Sequence, residues 1–399
     1  MKRKLILALV LELCALAALL LLIAGQLAAP AMAPMEEETE TMPTEPVTVP
    51  PATVPPTDPP ATQPPDPVQA RLAAMTTEEK VGQIFLARCP ETGAAEAIQN
   101  YHLGGLVLFD RDFDSQTPDS LRRKLRDYQS AADIPLLIAV DEEGGTVTRV
   151  SSHTAFRTSR FASPRELYAQ GGMELVLETE REKAQLLGGL GINVNLAPVC
   201  DISTQSGAFM YRRSLGQSTG ITGQFVAGAI ETMQSQGVAA VMKHFPGYGN
   251  NADTHVGIAT DTRSLESLER ADLQPFFGGI AAGGNAILVS HNIVTALDAD
   301  APASLSQAVH RYLRLAMGFD GVIMTDDLSM EAITQRYGAG EAAVLAVLAG
   351  NDLLCSTDYE TQYRAVLDAC ADGRISEDTL NQAAGNVLRW KQAMGLDIG

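Results

Sequence analysis

The most constraining feature of the sequence is a repeated alternation, after residue 75, of short apolar runs with longer amphipathic stretches of helical periodicity. The apolar runs lie at 83–86, 106–109, 136–140, 193–197, 239–242, 286–289, 322–324 and 352–355. Short runs that are apolar throughout are typical of parallel strands buried on both faces. Eight strand–helix units predict an α/β fold, a (β/α)8 TIM barrel over residues 68–399. A doubly wound open sheet is the alternative, although no G-x-G-x-x-G motif follows the first run.

Residues 1–33 have the pattern of an export segment. A basic triplet at 2–4 precedes an apolar run at 5–23 that is interrupted only by Glu12. The run is close to the roughly 20 residues that span a bilayer, so a retained membrane anchor is expected; a signal peptide cleaved after Ala31-Met32-Ala33 is the alternative. The positive charge keeps the N-terminus cytoplasmic, so the remainder is expected on the extracellular face of the membrane or secreted.

Residues 34–67 form a low-complexity segment with 12 prolines, seven acidic residues and no basic residue. Such a composition cannot bury apolar surface, and its prolines favour an extended backbone. We predict a disordered Pro/Thr/Glu-rich linker that holds the following domain away from a membrane, with a plain disordered tail as the alternative.

Charge and cysteine content exclude several classes of function. A net charge of −19 excludes a general nucleic-acid-binding protein, because phosphate contacts need a positive surface. The five cysteines have neither the spacing of a zinc site nor that of a disulfide framework, so free buried thiols are expected. His244 and His255 stand 11 residues apart rather than in a tight ligand pair, so no metal and no other cofactor is expected. We expect a monomer that contacts a membrane only through its N-terminal segment.

Polar side chains follow successive apolar runs, at the point where each predicted strand ends. These polar groups begin at Asp141, Asp201, Lys243, Ser290 and Asp326. In a (β/α)8 barrel the carboxyl ends of the strands meet at one face, and active sites lie there. The five groups therefore predict one shared pocket.

Three residues of the pocket are suited to nucleophilic and acid/base chemistry. Asp253 and His255 are two apart, so in an extended segment their side chains point the same way. A carboxylate beside an imidazole fixes its tautomer and stabilises its protonated form, which makes His255 a candidate proton donor and acceptor. A simple surface pair would have the same spacing. Asp326, at a strand end, is a candidate nucleophile.

Basic side chains and a second histidine complete the candidate set. Arg149, Arg213, Lys243 and His244 are suited to bind hydroxyl, amide or carboxylate groups of a ligand. Salt bridges within the pocket are the alternative role for these residues.

In these segments the sequence resembles glycoside hydrolase family 3, specifically its single-domain β-N-acetylglucosaminidases. The matching segments occur in the family's order: M-T-T-E-E-K-V-G-Q at 75–83, D-E-E-G-G at 141–145 with Arg149, L-A-P-V-C-D at 196–201, R-S-L-G at 213–216, K-H-F-P-G-Y-G at 243–249, D-T-H at 253–255 and T-D-D-L-S-M at 325–330. The likeness extends over essentially residues 68–399. The family usually has histidine where Tyr248 stands and serine where Thr254 stands.

The resemblance implies a retaining exo-β-N-acetylglucosaminidase that acts on peptidoglycan fragments, muropeptides or other glycans ending in N-acetylglucosamine. It implies that Asp326 attacks the anomeric carbon, while His255, oriented by Asp253, protonates the leaving oxygen and later activates water. It further implies that the sugar in the −1 subsite is held by Asp141, Arg149, Arg213, Lys243 and His244.

Other functions stay open at this level. A β-glucosidase or β-xylosidase of the same family is one alternative, and a non-catalytic glycan-binding module at the cell surface is another. The D-T-H triplet favours the N-acetylglucosaminidase branch, as does the expectation that the barrel occupies the whole C-terminal part without a second α/β sandwich domain.

Overall fold

Short parallel strands lie at the centre of the fold in the computed structural model, which describes residues 66–249, 251 and 257–399. The predicted export segment, most of the predicted linker, and Asp253 and His255 lie outside the described residues. The first described helix begins at Pro67, where the linker was predicted to end, and the Asp66 carboxylate caps it. Within the described ranges, no helix is both long enough and apolar enough to cross a membrane.

The strands form two larger parallel sheets and a small parallel pair. Their bounds are β1 Phe85–Arg88, β2 Gly105–Leu108, β3 Leu137–Val140, β4 Val194–Asn195, β5 Ala239–Ala240, β6 Met242–Phe245, β7 Thr260–Asp261, β8 Ala286–Val289, β9 Ile293–Val294, β10 Val322–Thr325 and β11 Leu354–Ser356. The first sheet has the order β11-β1-β2-β3-β4-β5, the second has the order β10-β8-β6, and β7 pairs with β9. The α/β class and the parallel arrangement that the apolar runs predicted are confirmed.

Helices follow most of the strands and cover one face of the sheets. Their bounds are α1 Pro67–Ala74, α2 Thr77–Gln83, α3 Ala94–Tyr101, α4 Pro118–Ala131, α5 Pro164–Leu190, α6 Thr219–Ser235, α7 Leu265–Arg270, α8 Gln274–Ala281, α9 Gln307–Arg311, α10 Glu331–Thr334, α11 Ala339–Ala349, α12 Tyr359–Ala371 and α13 Glu377–Ala393. The last of these carries Trp390, which is buried.

Each predicted apolar run overlaps a strand, but the first one is displaced. The Thr76 hydroxyl and the Glu79 carboxylate cap each other's backbone N–H groups and fix the start of α2, which extends to Gln83. The strand consequently begins only at Phe85 and ends at Arg88. This displacement brings the Arg88 side chain to the carboxyl end of the strand.

The strands are buried on both faces, which explains their unbroken apolar sequence. In β3, Ile138 and Val140 pack with the helices in the larger core cluster. Leu137 and Ala139 point the other way, into a smaller cluster that strand residues dominate. The carboxyl ends of these strands are left as the place where polar side chains gather.

Candidate active site

A cavity of about 680 Å³ lies at the carboxyl ends of the strands. Six of the predicted site residues line it: Asp141, Arg149, Arg213, Lys243, His244 and Asp326. Its wall also contains Arg88 at the end of β1, Phe109 after β2, Asp327 after β10 and Cys355 within β11. The predicted convergence of strand-end residues on one pocket is therefore found for every predicted site residue that the structure describes.

Asp326 and Asp327 are adjacent carboxylates with different surroundings. The Asp326 backbone N–H donates to the carbonyl of Val289 at 3.1 Å, which fixes the residue beside β8, and its side chain lines the cavity. The Asp327 carboxylate instead accepts hydrogen bonds from the backbone N–H groups of Ser329 and Thr357, at 2.9 and 3.1 Å. Asp327 thus holds two loops together, and it does not cap the following helix, whose N-cap residue is Met330.

A buried network of opposite charges forms the floor of the cavity. The Lys243 ammonium contacts Asp141 Oδ1 at 2.5 Å and Glu143 Oε1 at 2.7 Å. The Arg213 guanidinium donates to both oxygens of Glu143, from Nε at 2.9 Å and from Nη2 at 2.6 Å. Two cations and two carboxylates therefore balance one another.

Every member of this network with a shifted pKa is held in its charged form. Burial alone would raise the pKa of the Glu143 carboxyl, but the positive charges of Arg213 and Lys243 outweigh burial and lower it well below its usual range. Burial would likewise lower the pKa of Lys243, yet the carboxylates of Asp141 and Glu143 raise it. The floor therefore keeps its charge pattern across the neutral pH range.

His244 joins the network to a second buried carboxylate. Arg213 Nη2 lies 3.1 Å from His244 Nε2 and can only donate, so Nε2 accepts and the ring hydrogen lies on Nδ1. His244 Nδ1 then donates to Asp201 Oδ2 at 2.8 Å, and the His244 backbone N–H donates to the same oxygen at 3.1 Å. Asp201 therefore sets both the ring orientation and the tautomer of His244.

The segment that follows β6 is fixed from two sides. Asp201 Oδ1 accepts from the backbone N–H of Tyr248 at 2.7 Å. On the other side, Arg263 pairs with Asp272 at 2.6 Å, and a Cβ at Gly247, where φ is +113°, would come within 2.8 Å of the Asp272 side chain. Only glycine fits this position, both for its backbone angle and for the close approach of its neighbour.

Glu142 organises the loop that carries Arg149. Its fully buried carboxylate accepts from the backbone N–H groups of Arg149 and Val150, at 2.9 and 2.7 Å, and from the Ser151 hydroxyl. Arg149 then reaches Asp141 at 4.0 Å, at the edge of the cavity. The side chains of the three acidic residues 141–143 thus point in alternating directions: those of 141 and 143 face Lys243, whereas that of 142 faces the loop.

Three of these residues lay outside the predicted site: Glu142, Glu143 and Asp201. All three stand in the polar groups that follow strands, so the sequence marked the right segments. The alternation of side chains along an extended segment was the usable signal for Glu143, since Asp141 was already selected two positions earlier.

Metal-type ligand atoms come together elsewhere in the described chain. Oxygen or nitrogen atoms of Glu79, His102 and Asp133 lie within 4.8 Å of one another. These residues precede β1, β2 and β3, at the opposite ends of the strands, and none of them lines the cavity. Cys355 does line the cavity, but burial raises the pKa of its thiol well above the ordinary value, so the thiolate is disfavoured. The four described cysteines are free, and three of them are buried as expected, whereas Cys370 is half-buried.

Comparison with known proteins gives one consistent family. Residues 76–390 match the family model described as the glycosyl hydrolase family 3 N terminal domain. The beta-hexosaminidase LpqI of Mycobacterium tuberculosis is 30% identical over 82% of this chain and 85% of that protein. A beta-hexosaminidase of Xanthomonas axonopodis pv. citri is 34% identical over 75% of this chain and 88% of that protein.

Solved structures agree with the sequence relatives. A glycoside hydrolase family 3 beta-N-acetylglucosaminidase from Paenibacillus sp. str. FPU-7 superposes with a TM-score of 0.75 at 36% identity. The match covers 82% of this chain but only 64% of the Paenibacillus chain. The M. tuberculosis LpqI structure superposes with a TM-score of 0.71 at 29% identity, over 79% of this chain and 93% of that one.

Proposed function

The chain belongs to glycosyl hydrolase family 3 and is a glycoside hydrolase of the β-hexosaminidase type, and we propose that it is an exported, retaining exo-β-N-acetylglucosaminidase. Its proposed substrates are peptidoglycan fragments or related glycans that end in β-linked N-acetylglucosamine. The observation that carries this proposal is the convergence of Asp326 with a buried floor of paired charges in one cavity.

The floor supplies a donor and an acceptor for neighbouring sugar hydroxyls. A lysine ammonium has three hydrogens, and two of those on Lys243 are used by Asp141 and Glu143, so the third remains for a ligand. Asp141 Oδ1 accepts from Lys243, whereas Oδ2 has, among the described residues, only the distant Arg149 contact at 4.0 Å and can accept from a hydroxyl. A donor beside an acceptor at a fixed separation is what a pair of adjacent hydroxyl groups requires.

Arg213 and His244 have a different part in this proposal. Both nitrogens of the His244 ring and all three nitrogens of the Arg213 guanidinium already have protein partners, Nη1 with the Met210 sulfur at 3.6 Å. We assign Arg213 and His244 to shaping the −1 subsite and holding Glu143 in place. Arg149 contributes from the edge of the subsite.

The proposed reaction proceeds through a covalent intermediate. An oxygen of Asp326 forms a bond to the anomeric carbon while the bond to the leaving oxygen breaks, and His255 gives that oxygen a proton. In the second step, water transfers a proton to His255 and displaces Asp326, so the anomeric configuration is retained. Asp253 orients His255 and stabilises its protonated form.

We further propose that the strands close into the complete (β/α)8 barrel. Two features of the described residues support closure. Met324 in β10 bridges to Leu353 just before β11, and β5 is followed after one residue by β6. These links would join the two sheets at both edges in chain order. A crystal structure in which β10 and β11 are not neighbours would contradict closure.

Export is proposed from the basic and apolar N-terminal sequence. The test is fractionation of cells that express the full chain or the chain without residues 1–33, with activity measured in the outer and the cytoplasmic fractions. Loss of the outer activity on truncation is expected. Equal distribution of the two chains would contradict export by this segment.

The decisive experiment is hydrolysis of an aryl N-acetyl-β-glucosaminide by the wild-type chain and by Asp326→Ala. We expect kcat to fall by roughly 10³-fold or more, because no other group replaces the nucleophile. Asp320→Ala is the matched control, since this exposed aspartate precedes the same strand at its opposite end. Azide should restore turnover of Asp326→Ala and yield the α-glycosyl azide, whereas full activity without azide would refute the assignment.

A panel of aryl glycosides tests the sugar preference. The chain is expected to hydrolyse the N-acetyl-β-glucosaminide far faster than the corresponding β-glucoside or β-xyloside. A preference for either neutral sugar would replace the proposal with the β-glucosidase or β-xylosidase alternative, and binding of glycans without turnover would indicate a non-catalytic module.

A further inference from the structure

Arg88 is a cavity residue that the charge network of the site does not use. It is the last residue of β1, paired in register with Val107 of β2, and it lines the cavity together with Asp326. In the first sheet, β1 lies between β11 and β2. Arg88 is therefore about two strand spacings, or roughly 10 Å, from the strand that precedes Asp141.

Among the described residues, the Arg88 guanidinium packs on an aromatic ring but has no polar partner. Its central carbon lies 4.6 Å from the centre of the Phe109 ring, which holds the guanidinium by its charge and its flat shape. Its Nε is buried without a hydrogen-bond partner, and Arg88 forms no ion pair or hydrogen bond with the described residues. A guanidinium that is placed so firmly while its donors are unused is suited to a ligand.

A second guanidinium, that of Arg149, adds positive charge beside Arg88 and favours the binding of an anion there. Arg149 lies over the same Phe109 ring, at 5.7 Å, and its own Nε is likewise buried without a partner. Its nearest carboxylate is that of Asp141 at 4.0 Å, which Lys243 already contacts at 2.5 Å. Two guanidinium groups thus share one aromatic ring, and only one of them has a carboxylate, which is itself shared.

We propose that Arg88 is a specificity residue that binds a carboxylate of the substrate, carried by the sugar on the leaving side of the scissile bond or by a peptide attached to it. This inference rests on the proposed glycosidase function and extends it to an acidic leaving group. A guanidinium presents parallel N–H donors that match the two oxygens of a carboxylate. A neutral hydroxyl would satisfy one donor and leave the positive charge uncompensated.

The test compares disaccharides that differ only near the leaving group. The three substrates are β-N-acetylglucosaminyl-(1→4)-N-acetylmuramic acid with its free lactyl carboxylate, the same disaccharide as the neutral lactyl carboxamide, and its L-alanyl derivative, in which the carboxylate is one residue further away. The wild-type chain should prefer a carboxylate over the carboxamide by roughly 10- to 100-fold in kcat/KM. The preferred acid identifies the source of the carboxylate, lactyl group or peptide.

Variants assign this preference to the guanidinium. Arg88→Met should abolish the preference, and Arg88→Lys should keep only part of it, because an ammonium is a point charge without the bidentate geometry. Arg123→Met is the matched control, since it removes the same charge from an exposed position of helix α4 outside the cavity. An unchanged preference in Arg88→Met, or no preference in the wild type, would overturn the inference.

A binding measurement separates this inference from the proposed reaction. Calorimetric titration with N-acetylmuramic acid and with its carboxamide needs no turnover. If the chain hydrolysed no glucosaminide but bound the acid more tightly than the amide, and Arg88→Met removed the difference, the anion site would stand while the proposed function failed. Equal binding of acid and amide by the wild type would refute the anion site.

Discussion

Replacing Glu143 by glutamine tests whether one buried carboxylate maintains the charge pattern of the cavity. The Glu143 side chain is 1% exposed and accepts from Arg213 at 2.6 and 2.9 Å, and Lys243 lies 2.7 Å away. Glutamine has the same shape, but its amide hydrogens would face the guanidinium. Breaking a buried ion pair by removing one partner costs about 3–5 kcal/mol. Because Lys243 keeps Asp141 at 2.5 Å, we expect a loss near the lower end, about 3 kcal/mol.

The decrease in the free energy of unfolding caused by Glu143→Gln should be the same from pH 5 to pH 8. The cations hold the pKa of the Glu143 carboxyl below its ordinary 4.5, so its contribution to stability is complete above that pH and is lost only as the pH falls through the lowered pKa. We also expect kcat/KM on an aryl N-acetyl-β-glucosaminide to fall by roughly 100-fold, since Arg213 and Lys243 would no longer be held in register with the sugar.

Urea-induced unfolding measures the stability change. Its signal is the fluorescence of Trp390, the only tryptophan of the chain, which is buried in the last helix. Glu174→Gln is the control, because Glu174 is exposed on helix α5 and the same chemical change there should be nearly neutral. A loss below about 1 kcal/mol for Glu143→Gln would refute the view that this carboxylate balances two buried cations.

Three further substitutions test other parts of the molecule. Burial lowers the pKa of Lys391 from its ordinary 10.5 to about 7. Between these two pH values the unfolded chain binds more protons than the folded chain, so the free energy of unfolding rises with pH, by about 1.4 kcal/mol per pH unit. Urea unfolding at pH 7.5 and 9.5 measures this rise in the free energy of unfolding, and Lys391→Met should remove it. Lys124→Met, at a partly exposed site, is the control and should keep the rise. The same increase between the two pH values in Lys391→Met and in the wild type would count against the argument. Asp201→Asn should lower kcat/KM on the aryl glucosaminide by roughly 10- to 100-fold, because the amide keeps one acceptor oxygen where the two carboxylate oxygens serve both His244 and Tyr248. An unchanged value would contradict the role of Asp201 in orienting the His244 ring. His255→Ala should slow substrates with poor leaving groups far more than activated aryl substrates, and equal losses on both would argue against an acid/base role.

The strands were predictable because burial on both faces leaves an unbroken apolar run, which local sequence reports directly. The ends and breaks of helices were harder to predict from the sequence. The amphipathic stretch 265–282 reads in the sequence as one helix, but it forms α7 (Leu265–Arg270) and α8 (Gln274–Ala281), with a break at Ala271, where φ is −125° and ψ is −79°. Similarly, the stretch 306–317 reads in the sequence as one regular helix, but after Arg311 it continues as a π-helical segment. Local periodicity carries no information about such departures, which tertiary packing decides.

The candidate site was predictable as a set of segments but not as a set of contacts. Motif residues such as Lys243 and Asp326 were selected because they follow apolar runs, and each lines the cavity. The partner of Arg213 lies 70 residues away at Glu143, and that of His244 lies 43 residues away at Asp201. Sequence spacing cannot specify pairs at such separations, because the order of strands in the sheets brings them together.

The cavity contains a charge-balanced region suited to a neutral sugar and an unpaired guanidinium suited to a carboxylate. Lys243 and Arg213 are matched by Asp141 and Glu143, so this side presents fixed donors and acceptors without net charge, as a neutral sugar requires. Arg88, which lines the same cavity, has no matching carboxylate among the described residues. The overall charge of −19 conceals this local excess of positive charge. A chain so acidic would repel a carboxylate-bearing glycan at most of its surface, and the unmatched guanidinium is the feature that allows such a substrate to bind in one orientation.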